Sequence, residues 1–205
     1  ATDWHMVHLG KFATGGAGLI FTEATAVEER GRITHGDHGL WRDDQGAALR
    51  RITDFVKFNG SVPALQLAHA GRKASTRPPW QGSAALDETD AAKGGPPWQS
   101  VAPTASAYDP SGSNPRAIDA DEIPSLIESW RNAARRARDA GFEVVEVHAA
   151  HGYLIHQFLS ATSNRRTDAY GGDLAGRMRL LCEIVEGVRA EWPADRPVLL
   201  SKEEC

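Results

Sequence analysis

The sequence predicts an α/β fold of the partial (β/α)8 barrel kind, about the first half of one barrel. Three observations carry this: short apolar runs too continuous for strands with one wet face, helical stripes between them, and polar residues gathered where the runs stop. The runs are AGLIF at 17–21, VPALQLA at 62–68, FEVVEVH at 142–148 and PVLL at 197–200. Each reads as a buried parallel strand.

A leading helix is expected from Asp3 to Ala13, with Trp4 and His5 helping to pack it. After the first strand, Ala48, Leu49, Ile52, Phe55 and Val56 keep the i, i+3, i+4, i+7 spacing, and Asn59-Gly60 closes that helix. A third helix follows the second strand at a distance. Asp119 and Glu122 resemble a capping box ahead of Ile123, Leu126, Ile127, Trp130, Ala134 and Ala137 on one stripe, with Gly141 placed as a C′ residue. Pro124 fits poorly with that start. The last stripe is Leu174, Met178, Leu181, Val185, Val188 and Trp192, ended by Pro193 just before the final run.

The alternation builds a parallel sheet with crossover helices, for which two architectures compete. A doubly wound nucleotide fold places a glycine-rich turn after a strand and before a helix, but Gly15-Gly16-Ala17-Gly18 follows a helix and enters a strand. A barrel instead collects its polar groups at strand ends, where Glu23, Gln66, His69, His148 and His151 stand. The barrel is favoured. Residues 1–205 are read as one partial barrel domain with a long excursion at about 70–117, rich in Gly, Pro and Ser, including Pro78-Pro79, Gly94 to Pro97 and Pro110-Ser-Gly. Loops of that length in a compact domain tend to be functional, so a wall or lid over the strand ends is weighed equally against a solvated insertion.

Composition narrows the partners. A net charge of -4, with no interleaving of basic and aromatic residues, argues against nucleic acid. No stretch approaches the ~20 apolar residues of a membrane span, and the first residues lack the features of a signal peptide. Cys182 lies inside a helical pattern and Cys205 is the last residue, so neither a disulfide framework nor a CxxC knuckle is available, and a reducing, cytoplasmic setting is expected.

The third run ends abruptly in His148, His151, Tyr153 and His156. Three readings are open. A metal site needs a third ligand, which His69 or Glu23 can offer from a neighbouring strand. Alternatively the imidazoles are simply satisfied by core hydrogen bonds. In the third reading, two imidazole N–H groups converge on a carbonyl oxygen while Tyr153, a phenol with a pKa of about 10, gives its proton to a strongly basic carbon.

TDWHMVHLG (2–10), GGAGLIFTEATAV (15–27), GRITHGDHGLW (31–41), QLAHAGRKAS (66–75), HAAHGYLIHQFLS (148–160) and NRRTDAYGG (164–172) together closely resemble the old yellow enzyme family, flavin-dependent ene-reductases, in its bacterial-type branch with paired histidines. The resemblance implies a (β/α)8 barrel holding FMN at its C-terminal face, reduced by NADPH or NADH, and passing hydride to the activated C=C bond of an α,β-unsaturated carbonyl. It implies that Ala24 approaches the flavin with its backbone, that Gln66 hydrogen-bonds the isoalloxazine ring, that His148 and His151 bind the substrate carbonyl, and that Tyr153 protonates the alpha carbon. His69, Arg72 and Lys73 lie beside the cofactor strand in that pattern, and Arg165, Arg166 and Asp168 tie a loop by charge pairs. A homo-oligomer is compatible with it.

Two departures from the family pattern are expected to matter. The chain starts after the family's first strand, and its last run passes into Ser201-Lys202-Glu203-Glu204-Cys205 where an arginine and a serine normally follow. Weak FMN binding by the isolated chain is the expectation drawn from this. The rival readings are a metal-dependent hydrolase using His69, His148 and His151, and a truncated product without catalysis.

Overall fold

A computed structural model describes residues 1–109 and 114–203. In chain order the elements are α1 (Asp3–Thr14), β1 (Leu19–Ala26), α2 (Asp43–Phe58), β2 (Val62–Ala68), α3 (Glu88–Ala91), β3 (Val101–Ala102), β4 (Arg116–Ala117), α4 (Ile123–Asp139), β5 (Val144–Ala149), α5 (Leu154–Leu159), α6 (Leu174–Glu191) and β6 (Val198–Lys202). The main sheet has four parallel strands in the order β1-β2-β5-β6. This is the parallel half-barrel that the sequence predicts.

One face of that sheet packs on helices. Leu65 and Leu67 of β2 and Val145 and Val147 of β5 are fully buried there, against Leu126, Trp130 and Ala134 of α4 and Leu180, Ile184 and Val188 of α6. Burying each large apolar side chain contributes about 1.5–3 kcal/mol, so this layer is what holds the strands. Side chains alternate along a strand, and the residues between them turn to the other face. In-register pairing therefore lays two rows across that face: Ala24, Gln66, Glu146 and Leu199, then, one pleat nearer the strand ends, Ala26 with Ala68 and His148 with Ser201.

Helix ends follow the local chemistry. After α2 and α4 the chain reverses through Gly60 and Gly141, both at positive φ, and the amides of Ser61 and Phe142 bond back to Val56 and Ala137. Only glycine adopts this conformation without cost. Pro124 lies in the first turn of α4, where its missing N–H leaves no helical bond unmade, so the misfit expected from the sequence disappears. A 3-10 turn at Ala120–Glu122 precedes it, with the Asp119 amide donating to Glu122 at 2.8 Å.

Several expectations need correction. Phe55 and Met178 are partly exposed and Leu174 and Trp4 are mostly exposed, so the buried stripes are Leu49, Ile52, Thr53 and Val56 on α2 and Leu180, Leu181, Ile184 and Val188 on α6. Trp4 stacks on His8 at the surface instead of packing the core. Strand β1 runs to Ala26 and β6 to Lys202, so Glu23, Ala24, Ser201 and Lys202 are strand residues. The 70–117 segment holds short turns, α3 and the small β3–β4 pair; Pro110 to Gly112, and the terminal Glu204 and Cys205, lie outside the described residues.

Candidate active site

His148 stands in the second inward row, one residue before the end of β5. It is 3% exposed, and its Nδ1 lies 3.0 Å from the Ser201 hydroxyl of β6. Burial, followed by the neighbouring His151, holds this imidazole below the ordinary histidine range, so it is neutral near pH 7.

His151 takes a left-handed backbone with φ of 58°, followed by Gly152 at 67°. For a residue with a Cβ this costs about 1–2 kcal/mol. Its neighbours hold the turn from several sides. The His151 amide donates to Glu203 at 3.0 Å, its carbonyl accepts from Lys73 Nζ at 2.7 Å, and the Gly152 amide donates to His156 Nδ1 at 3.0 Å. Because that Nδ1 accepts, the nearby Glu203 carboxylate, 3.5 Å away, faces a lone pair and gains no ion pair from it. Glu203 also lies 3.4 Å from the His151 ring.

The strained turn aims three rings together. Centroids of His148 and His151 are 5.0 Å apart, His148 and Tyr153 5.2 Å, and His151 and Tyr153 6.4 Å, all edge to face. Burial, then Asp37, pushes the Tyr153 phenol up, so it holds its proton at neutral pH. Tyr153 also borders a cleft of about 640 Å³ whose walls include Asp37, Arg72, Lys73, Arg77, Ala85 and Tyr108. That cleft does not reach His148, His151 or Gln66. Tyr153 and Ala24, with Ala26 and Ala68, line a second, narrow gap on the inward face. One pleat below His148, Gln66 Nε2 donates to Glu146 Oε1 at 2.5 Å.

The other expected residues have different surroundings. His69 is buried away from the three rings: its Nε2 meets Glu28 at 2.9 Å and its Nδ1 accepts the Gly71 amide at 3.0 Å. Both ring nitrogens are engaged, so His69 is not free to ligate a metal with His148 and His151. Arg72 donates to Ser163 at 2.9 Å and Lys73 sits 5.7 Å over the Tyr153 ring. Arg166 forks onto Asp168 and also donates to the carbonyls of Pro103 and Ile118. For Arg165, the bond that ties it is its amide to Thr104 at 3.0 Å.

Sequence reasoning missed Gln157, which is 1% exposed. Its Nε2 donates to Gly152 at 2.8 Å and to Ala70 at 3.3 Å, and its Oε1 accepts the Arg72 amide at 3.2 Å. One amide thus ties the turn after β2 to the turn after β5. A Cβ on Gly71, whose φ is 62°, would stand 2.5 Å from that amide, which is why glycine is required there. Ser201 and Glu203 were missed as well, because the reading ended the strand before them.

A model of the NADH:flavin oxidoreductase / NADH oxidase family matches residues 1–201, and the chain belongs to that family. It is 47% identical over 202 residues to NADH:flavin oxidoreductase FG08077 of Gibberella zeae, covering 98% of this chain and 48% of that protein. With the NADPH dehydrogenase of Listeria innocua it shares 42% over 200 residues, covering 98% and 53%. Among solved structures, morphinone reductase superposes with a TM-score of 0.82 at 33% identity, covering 98% of this chain and 53% of that one. The old yellow enzyme homologue from Zymomonas mobilis gives 0.80 at 33% identity, covering 98% and 56%. The chain spans about half the length of the curated relatives it matches. Among the described residues no helix is long and apolar enough to cross a membrane.

Proposed function

We propose that the protein carrying this chain is an FMN-dependent oxidoreductase of the paired-histidine branch, taking hydride from NADPH or NADH and delivering it to the activated C=C bond of an enone-type carbonyl. The observation that carries this reading is the convergence of His148, His151 and Tyr153 within 5.0 to 6.4 Å in a chain of this family. A floor of small side chains at Ala24, Ala26 and Ala68 beside the Gln66 amide suits a flat heteroaromatic ring, which needs a wall without bulk and a polar edge. When bound there, FMN supplies the redox chemistry.

The chain's own groups do the rest. With the Ser201 hydroxyl donating to Nδ1, neutral His148 presents Nε2–H toward the substrate carbonyl. His151, whose ring centroid lies 5.0 Å from that of His148, adds a second donor, so that negative charge developing on the oxygen is met by two imidazoles. Tyr153 O–H then passes its proton to the alpha carbon; a raised pKa means that only a strongly basic carbon takes it. Lys73, by holding the His151 carbonyl, fixes the clamp's geometry. The reading places the protein in the cytoplasm, acting on small molecules, with self-association left to a native-mass measurement.

In the intact protein, replacing His148 and His151 together by Ala should slow enone reduction by about 100-fold or more while flavin reduction by NAD(P)H changes by less than about tenfold, measured as separate half-reactions by stopped flow. Equal losses in the two half-reactions would contradict the clamp.

A further inference from the structure

On the far side of β1 from β2, a second group of imidazoles gathers around a carboxylate. Strand β1 spends two residues, Thr22 and Glu23, where β2 spends one, and this bulge throws Glu23 toward α1. There His5 and His8, three residues apart on one helix face, come alongside it, with His8 Nε2 3.6 Å from Glu23 Oε1. His38 arrives from the next segment. The Ala26 amide donates to the His38 carbonyl at 2.9 Å and the Leu40 amide to the Ala26 carbonyl at 2.9 Å, which fastens His38 along the edge of β1.

His38 is 6% exposed, yet neither of its ring nitrogens has a hydrogen-bond partner. An unmet buried polar group costs about 1–3 kcal/mol, which calls for a compensating ligand. Its ring lies against that of His5 with centroids 4.0 Å apart. The Thr2 amide and hydroxyl occupy His5 Nδ1, at 2.9 Å each, and leave Nε2 as the ligating atom. One ligand atom from each of His5, Glu23 and His38 falls within 4.8 Å of the others, the one such trio among the described residues.

We propose that His5, Glu23 and His38 bind a single divalent transition-metal ion, Zn²⁺ above all, in a site that ties α1, β1 and the segment after β1 together. Two imidazoles and a carboxylate are a sufficient zinc set, leaving a fourth position for water. Ligand atoms around zinc at about 2.0–2.1 Å stand about 3.4 Å apart, so small side-chain rotations close the trio. On binding, the His5 proton moves from Nε2 to Nδ1, which gives up the Thr2 amide and donates instead to the Thr2 hydroxyl, an outer partner of the kind that orients metal-bound histidines. Oxygen-seeking Mg²⁺ and Ca²⁺ do not suit two nitrogen donors.

The test uses the intact protein, purified without a histidine tag and stripped with a chelator, titrated with Zn²⁺ against a chromophoric competitor. One equivalent should bind, with an affinity about tenfold or more weaker in both His38→Leu and His5→Ala, and Zn²⁺ should raise the melting temperature of the unaltered protein but of neither variant. His38→Leu keeps the buried site apolar and His5→Ala lies at a part-exposed helix position, so circular dichroism will show at least one of them folded. Failure of the unaltered protein to bind an equivalent, or retention of its affinity in a folded variant, overturns the site.

Discussion

Lys73 donates from Nζ to the carbonyl oxygen of His151 at 2.7 Å, so the turn after β2 holds the turn after β5 in its left-handed shape. A solvent-exposed hydrogen bond of this kind contributes about 1 kcal/mol or less. Removing the ammonium in Lys73→Met should therefore loosen the His151 ring and weaken enone binding several-fold, with fold stability changed by less than about 1 kcal/mol because the residue is near the surface. Enone titration of the oxidised protein, alongside a urea melt, gives both numbers. Unchanged affinity would show that the carbonyl contact does not set the ring.

The same strain predicts an opposite pair of effects at His151 itself. Glycine takes a φ of 58° freely, so His151→Gly should stabilise the fold by up to about 1 kcal/mol while reducing enone turnover by about tenfold or more. A stability loss in the urea melt would mean that the ring contact with Glu203 outweighs the backbone strain.

Gln157 and Gly71 make a coupled pair. Gln157→Leu leaves the Gly152 and Ala70 carbonyls and the Arg72 amide without their partner and should cost about 2–3 kcal/mol. Gly71→Ala drives a methyl to 2.5 Å from the amide and should cost a similar amount. Since both break one contact, the double variant should fall short of their sum by about 1 kcal/mol or more; strict additivity in denaturant melts would separate them.

Much of this was legible in the sequence, for identifiable reasons. Continuous apolar runs mark strands buried on both faces, and Gly60 and Gly141 mark helix ends because glycine takes a positive φ without the cost that a Cβ brings. The reach of β1 to Ala26 and of β6 to Lys202 was not legible, since it depends on pairing with Ala68 and Ala149 far along the chain. That misplaced end hid Ser201 and its bond to His148. The bulge at Thr22 and Glu23 is stabilised by Thr25 Oγ1 donating to the Glu23 carbonyl at 3.0 Å, a contact that no periodicity announces. Gln157 escaped notice because a buried amide with its full set of partners is spelled like any surface glutamine. His69, grouped with the other histidines by position, belongs to a separate network because both its nitrogens are already bonded.

That network carries a pH signature. Burial pushes the Glu28 carboxyl up, but hydrogen bonds and charge from His69 and Arg30 outweigh it and leave it at about 2, against an ordinary 4.5. A depressed carboxyl contributes stability that is fully present above about 4.5 and lost as pH falls toward 2. The side chain is 19% exposed, so the whole effect is on the order of 3 kcal/mol or less. Glu28→Gln should flatten the fall in urea midpoint over this window. An unchanged slope would place the acid sensitivity in other carboxylates.

Arg166, in the loop after α5, ties Pro103, next to β3, to Ile118, next to β4. Its side chain is 9% exposed, with Nε and Nη2 on Asp168 and Nη1 shared between the carbonyls of Pro103 and Ile118. Lysine has the charge but not the planar fork, so it can satisfy one of these directions at a time. Arg166→Lys should therefore cost about 2–3 kcal/mol, nearly as much as Arg166→Met, because unmet carbonyls and the displaced carboxylate dominate in both. Asp168→Asn should cost less, about 1 kcal/mol, since Asp168 is 35% exposed and the two carbonyl contacts survive. Urea melts of the three variants order them; a harmless lysine substitution would show that charge alone, without the fork, holds these segments together.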